Sequence, residues 1–172
     1  MDFNRDHFSL FELPRRFSLD HAELDGRYRD MQARVHPDRH AHLGDVERRL
    51  AMQWSTQVNE AYQTLRRPLA RAVYLLKLAG IDVHQERTMP TEFLVKQMEW
   101  REAVEEARGA ADEAALDHLH RRIKKDMAAQ YGELDKLLDA HDHAAAAGLT
   151  RQLMFQEKLL AEVDDALAAI DV

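Results

Sequence analysis

Leu24, Tyr28, Met31 and Val35 recur at the spacing of one helix face and stop just short of Pro37. Beyond a polar loop, Ala51, Trp54, Val58, Ala61 and Leu65 form a second stripe of the same period. The residue before a proline is pushed out of the helical region, so the first helix ends there. Two single-sided stripes joined by a short loop bury each other as an antiparallel helix pair. Ser18 is placed to cap the first helix and Asp45 the second, and Phe8 to Leu13 reads as a short apolar turn ending before Pro14. With only 6 Gly, 4 Pro and 7% aromatic residues, a sandwich or barrel is disfavoured, and the expected fold class is all-α.

The rest of the chain continues the pattern. Arg66-Arg67 sits where positive charge suits a helix C-terminus, and Pro68 suits the first turn of a new segment. Leu69 to Ala79 is apolar nearly all round, which predicts burial between two modules, and Gly80 closes it. Ile81 to Pro90 has no clear period. Three helical stretches follow, Thr91 to Arg108, Ala111 to Ala140 and Asp142 to Ile170, and predict a three-helix bundle. The expected organisation is residues 1–79 as a helix-pair module with a connecting helix, 80–90 as linker and 91–172 as the bundle. Charge follows this division: residues 1–79 carry 13 Lys and Arg against 11 Asp and Glu, whereas residues 80–172 carry 11 against 20. Two surfaces of different electrostatic preference imply two partners.

Several function classes are excluded. The chain has no cysteine, hence no disulfide, thiol nucleophile, thiolate zinc site or cysteine-ligated iron-sulfur cluster. No apolar run approaches a membrane span, and charges interrupt Met1 to Arg16 where a signal peptide needs an apolar core, so a cytoplasmic protein is expected. No basic run is long enough to make nucleic acid the main target. His36, His40 and His42 with Asp38, and His141-Asp142-His143, lack the paired helical spacing of a zinc protease, and Pro37 breaks the helix that His36 and His40 need. No nucleophile, base and phosphate-holding loop occur together. The expectation is a binding protein with no catalytic residue, metal or cofactor, and a metalloenzyme is the weaker rival.

His36-Pro37-Asp38 lies in the loop between the paired helices. Proline restricts the loop, and Asp38 is presented as an acceptor-only carboxylate suited to a partner's arginine. Alone, the tripeptide is an ordinary helix stop. In order, a short helix, an amphipathic helix, His-Pro-Asp, a loop, and a helix ending in Asn59-Glu60-Ala61-Tyr62 with Leu65, the segment from about residue 6 to 66 resembles the J-domain of J-type co-chaperones. The resemblance implies binding to the ATP state of an Hsp70 chaperone and acceleration of its ATP hydrolysis, through His36, Pro37, Asp38 and positive residues of the preceding helix. Arg27 and Arg34 share a helix face and Arg39 follows the tripeptide, so all three can meet an acidic Hsp70 surface. Equally, Glu23 with Arg27 and Asp30 with Arg34 can form i, i+4 surface pairs worth about 0.2 to 0.5 kcal/mol.

In the first helix after the linker, Phe93, Gln97, Trp100, Val104 and Ala107 make the core stripe. Leu94, Val95, Met98, Glu99, Glu102 and Glu106 fall on the far side. Either they form an exposed docking face, apolar at one end and acidic at the other, or the neighbouring helices wrap far enough to bury both faces. Phe155 stands off the expected last-helix stripe of Leu149, Leu153, Leu160, Val163 and Leu167, as a partner contact or as gap filling. With its N-terminal J-domain, Pro68-Leu69 to Leu78, Phe93-Leu94 to Arg101-Glu102, and its charged helical end, essentially the whole chain resembles the HscB-type iron-sulfur cluster assembly J-protein co-chaperones. That family implies an adaptor that carries the cluster scaffold protein to a specialised Hsp70, activating the partner's ATPase without being an enzyme. It implies scaffold binding at Leu94, Val95, Met98, Glu99, Glu102, Glu106 and Phe155, with Glu105 an alternative to Glu106. Eukaryotic relatives add an N-terminal zinc module with paired cysteines; without it the chain resembles the bacterial members, and a monomer is expected. The rival within the binding class is a general J-protein handing unfolded clients to a housekeeping Hsp70, against which the missing Gly/Phe-rich segment and cysteine repeats count.

Overall fold

The computed structural model describes residues 5–35, 44–86 and 88–170. Among these there are seven helices and no strand: α1 (His7–Leu10), α2 (His21–Val35), α3 (Asp45–Arg66), α4 (Pro68–Leu78), α5 (Thr91–Gly109), α6 (Glu113–Asp139) and α7 (His143–Ile170). The all-α expectation holds. Contacts divide the chain into two units, Met1–Leu75 and Leu76–Val172, with the border inside α4.

In the first unit α2 packs against α3, and α1 lies against α3. The stripe of α3 is buried at all five expected positions, with Tyr62 added. On α2, Leu24 and Val35 are buried while Tyr28 and Met31 are only partly covered. Tyr28 has another role: its ring stacks on Tyr62 at 3.9 Å and its hydroxyl donates to Asn59 Oδ1 at 2.9 Å. The Tyr62 hydroxyl donates to Asp25 at 2.8 Å, so the Asn59 to Tyr62 segment is the polar seam joining the pair.

Both expected caps shift. Asp20, not Ser18, opens α2, its Oδ1 accepting from the N–H of Ala22 at 2.8 Å and of Glu23 at 3.3 Å. A carboxylate offers the helix N-terminus a full negative charge as well as an acceptor. For α3 the cap position is Gly44, and Asp45 lies inside the first turn, ion-paired to Arg48. α4 is not apolar all round. Arg71 is buried within it, its Nη1 donating at 2.5 Å to the carbonyl of Leu65 and its guanidinium lying over the Phe17 ring at 5.0 Å. That carbonyl belongs to the last turn of α3, where no intrahelical donor remains.

In the second unit α5, α6 and α7 pack pairwise as a three-helix bundle. The residues after α4 are tied to it: Val83 is buried, and Glu86 accepts an ion pair from Arg151 of α7 at 3.1 Å. The core stripe of α5 matches the expectation at every position. The stripe of α7 does not: Ala146, Thr150, Leu153, Gln156, Leu159, Val163 and Ala166 are buried, while Leu149, Leu160 and Leu167 are half-covered on its flank. Leu153 and Val163 are buried as expected, but small and polar residues share the seam with them, Thr150 returning its hydroxyl to the Ala146 carbonyl at 2.7 Å.

Four helices, α1, α4, α5 and α6, end alike. A residue in the left-handed region follows each, namely Glu12, Gly80, Ala111 and His141. The next N–H then donates back at 2.9 Å, from Leu13 to Phe8, Ile81 to Leu76, Asp112 to Ala107 and Asp142 to Leu137. This satisfies carbonyls that a helix end leaves open. Asp112 and Asp142 also open the next helix, their carboxylates accepting from Ala115 and Ala145.

Candidate docking site

His36, Pro37, Asp38 and Arg39 lie outside the described residues, as do His40 and His42. Of the remaining residues expected to meet an Hsp70, Arg27 is half-buried and bridges two carboxylates, Glu12 at 2.9 Å and Glu23 at 3.7 Å. The i, i+4 pair with Glu23 therefore forms, as the longer of the two. Arg34 is exposed in the last turn of α2, beside a small cleft that it shares with Glu12, Arg27, Asp30 and Met31.

The far side of α5 is open to solvent. Leu94, Val95 and Met98 are 44%, 50% and 63% exposed, against 3% for Trp100 on the opposite face of the same helix. The neighbouring helices do not wrap α5, because its core stripe is narrow and is fully used against α6 and α7. Glu99, Glu102 and Glu106 are exposed along the same side, a turn apart, continuing the apolar patch as an acidic ridge. Glu105 is exposed as well and pairs with Arg108 at 3.4 Å, whereas Glu106 makes no ion pair among the described residues.

Phe155 of α7 is 42% exposed, yet not loose. Its ring meets Phe93 edge-on, with centroids 6.4 Å apart, and Lys158 lies over it at 5.9 Å. Phe93 is thus the hinge pin between the two signals: it buries its own side chain while bringing Phe155 up beside the first turn of α5, where Leu94 follows. An apolar cluster from two helices, rimmed by unpaired carboxylates, suits a partner with an apolar patch and cations beside it.

On its other flank α5 forms an open groove of about 550 Å³ with α6. Val95, Trp100, Ala103 and Leu119 line it, with Glu99 on the α5 side and Arg122 on the α6 side. Lys96 crosses at one end, ion-paired to Asp126 and lying over Trp100 at 4.6 Å. Sequence reasoning missed this groove. Its one signal was the basic run from His118 to Lys125 inside an acidic half, and the α6 side facing α5 is set by packing.

His141 and His143 meet edge-on at 5.7 Å, and His120 reaches Asp164 at 3.2 Å. Among the described residues no group of three or more His, Cys, Asp or Glu side chains gathers as a metal site, and no helix is long and apolar enough to cross a membrane.

Comparison with known proteins agrees with this architecture from end to end. The model of the HSCB C-terminal oligomerisation domain matches residues 89–164, which hold α5, α6 and most of α7. A co-chaperone protein HscB homolog of Aromatoleum aromaticum is 52% identical over 174 residues, covering 99% of this chain and 98% of that protein. The chaperone HscB from Vibrio cholerae superposes with a TM-score of 0.87 at 37% identity, over 96% of this chain and 99% of that one. Human co-chaperone protein HscB gives a TM-score of 0.92 at 32% identity, over all of this chain and 86% of that one. With a helix pair of J-domain pattern in front and the matched bundle behind, the chain belongs to the HscB family, co-chaperones rather than enzymes, of the iron-sulfur cluster assembly J-protein type.

Proposed function

We propose that this protein is an adaptor that delivers an iron-sulfur cluster scaffold protein to a specialised Hsp70 in the cytoplasm and stimulates that chaperone's ATPase. Residues 1–79 act as the J-domain with its connecting helix and residues 91–172 as the scaffold-binding module. The observation that carries this reading is the exposed cluster of Leu94, Val95, Met98 and Phe155 bordered by Glu99, Glu102 and Glu106, on helices whose other faces are core. Soluble domains rarely leave that much contiguous apolar surface open unless a partner covers it.

His36, Pro37 and Asp38 engage the Hsp70, with Arg27, Arg34 and Arg39 supplying positive charge. Arg27 keeps its two carboxylate neighbours, so its contribution is to orient the approach. The chemistry of ATP hydrolysis stays in the Hsp70; this chain favours the hydrolysing conformation by binding it more tightly than the resting one.

Steady-state ATPase assays of the cognate Hsp70 with this protein, with scaffold and with both test the reading. Stimulation by the wild type should grow with scaffold and disappear in Asp38→Asn, which keeps the shape of the side chain and removes its charge. Leu94→Ala with Phe155→Ala should weaken scaffold affinity by about 1.5 to 3 kcal/mol while scaffold-independent stimulation persists. Equal stimulation by wild type and Asp38→Asn would sink the J-domain role.

A further inference from the structure

We propose that the docking site has a second bank on α6, formed by Arg122 and Lys125, which receives a carboxylate-bearing part of the same scaffold protein; this rests on the reading above that α5 docks the scaffold.

The groove between α5 and α6 begins where the exposed face of α5 ends, since Val95 and Glu99 belong to both. The Lys96 to Asp126 ion pair sets the two helices in antiparallel register, which puts Glu99 across from Arg122, one turn before Asp126. Lys125 does not line the groove itself but stands beside Arg122, one turn along the solvent side of α6. Both cations are exposed. The side chains of Arg122 and Lys125 make no ion pair or hydrogen bond to another described residue, and the same holds for those of Glu99, Glu102 and Glu106. Their neighbours are occupied: Lys96 by Asp126 and Trp100, Arg121 by Asp117 at 4.0 Å. An apolar trough therefore separates an unpaired acidic bank from an unpaired basic one, and neither bank neutralises the other.

A surface that fits this trough places an apolar side chain on Val95, Ala103 and Leu119, a cation toward Glu99 and a carboxylate toward Arg122 and Lys125. A nucleic acid would meet the glutamates inside the same trough. A second copy of the chain would bring together two halves that each carry 20 Asp and Glu against 11 Lys and Arg, a like net charge that works against pairing, and the mass measurement below separates it from the scaffold. The scaffold is favoured as occupant, because the face of α5 on which it docks runs into the groove at Val95 and Glu99.

The test is calorimetric binding of the full chain to the cognate scaffold protein at low and at high salt. Arg122→Glu with Lys125→Glu should bind roughly tenfold more weakly at low salt, and the gap from wild type should narrow as salt screens the bank. Arg122→Gln with Lys125→Gln should fall between the two, and an unchanged thermal midpoint shows that each variant is folded. A photoreactive side chain at position 125 should crosslink to the scaffold near an Asp or Glu. Unchanged affinity of the charge-reversed variant at both salts, with Leu94→Ala and Phe155→Ala still weakening binding, overturns the second bank and leaves the α5 reading standing. Failure of the wild type to bind scaffold overturns both. A concentration-dependent doubling of the wild-type mass that the charge reversal abolishes overturns the scaffold as occupant, in favour of a second copy.

Discussion

Asp6 shows how much one side chain can hold. Its carboxylate opens α1 by accepting from the N–H of Phe8 and Ser9, and Arg15, nine residues on, closes over it at 2.7 Å. Burial pushes this carboxyl upward, but the bonds from Arg15 and Ser9 outweigh it and hold the group at about 2. An unfolded aspartate titrates near 3.9, so the folded value is depressed: the stabilisation is complete above about pH 4 and is lost as pH falls through about 2. Asp6→Asn should lower the free energy of unfolding in urea by about 1 to 2 kcal/mol at pH 7, and the difference should shrink to nearly nothing by about pH 2. A difference that stays constant down to that pH would refute the charge as its source. The sequence announced the apolar turn from Phe8 to Leu13 but not this closure, because no period connects residues nine apart. Arg27 divides in the same way: its pair with Glu23 follows from helical spacing, its shorter bond to Glu12 only from how α1 meets α2.

Among the elements, helix extents were readable and their ends were not. Periodicity and punctuation placed six helices to within a few residues, yet the break after α5 was expected near Gly109, whereas Gly109 is helical and Ala111 takes the left-handed turn at φ 49. A side chain in that region costs about 1 kcal/mol. Ala111→Gly and His141→Gly should therefore each raise stability by about 0.5 to 1 kcal/mol, and Gly109→Ala, whose added methyl meets nothing within 4 Å, should do likewise. Urea midpoints at constant slope measure all three. A loss of stability in either glycine variant would mean that its turn is held by more than backbone strain. The stripe of α5 was legible because its charged side is unambiguous. That of α7 was not, because Gln156 and Thr150 are buried where composition asks for leucine.

Across the whole molecule the charge division and the division into two units run together, and each unit has its own core and its own tryptophan, Trp54 in the first and Trp100 in the second. Leu153→Ala, at a position with no exposure, should cost the second unit about 2 to 4 kcal/mol. Followed by Trp100 fluorescence in a Trp54→Phe background, the denaturation midpoint should fall further than when followed by Trp54 in a Trp100→Phe background. Equal shifts would mean that the chain unfolds as one cooperative whole. The exposed face of α5, the first half of the proposed docking site, could be read in advance, because Leu94, Met98 and Glu102 stand opposite an obvious core stripe. The α6 half could not, because which side of His118 to Lys125 faces the groove depends on how two helices settle. That settling has an evolutionary corollary in the turns at Ala111 and His141. Asp112 ends one helix with its N–H and starts the next with its carboxylate, as Asp142 does, so the phase of each helix passes to its successor without slack. One residue inserted between Asp112 and Arg122 turns everything after it by about 100° and carries the basic bank away from the groove. Lineages of this bundle are thus free to drift in spelling but not in length, and gaps in an alignment of its relatives should avoid the stretch from Thr91 to Lys125.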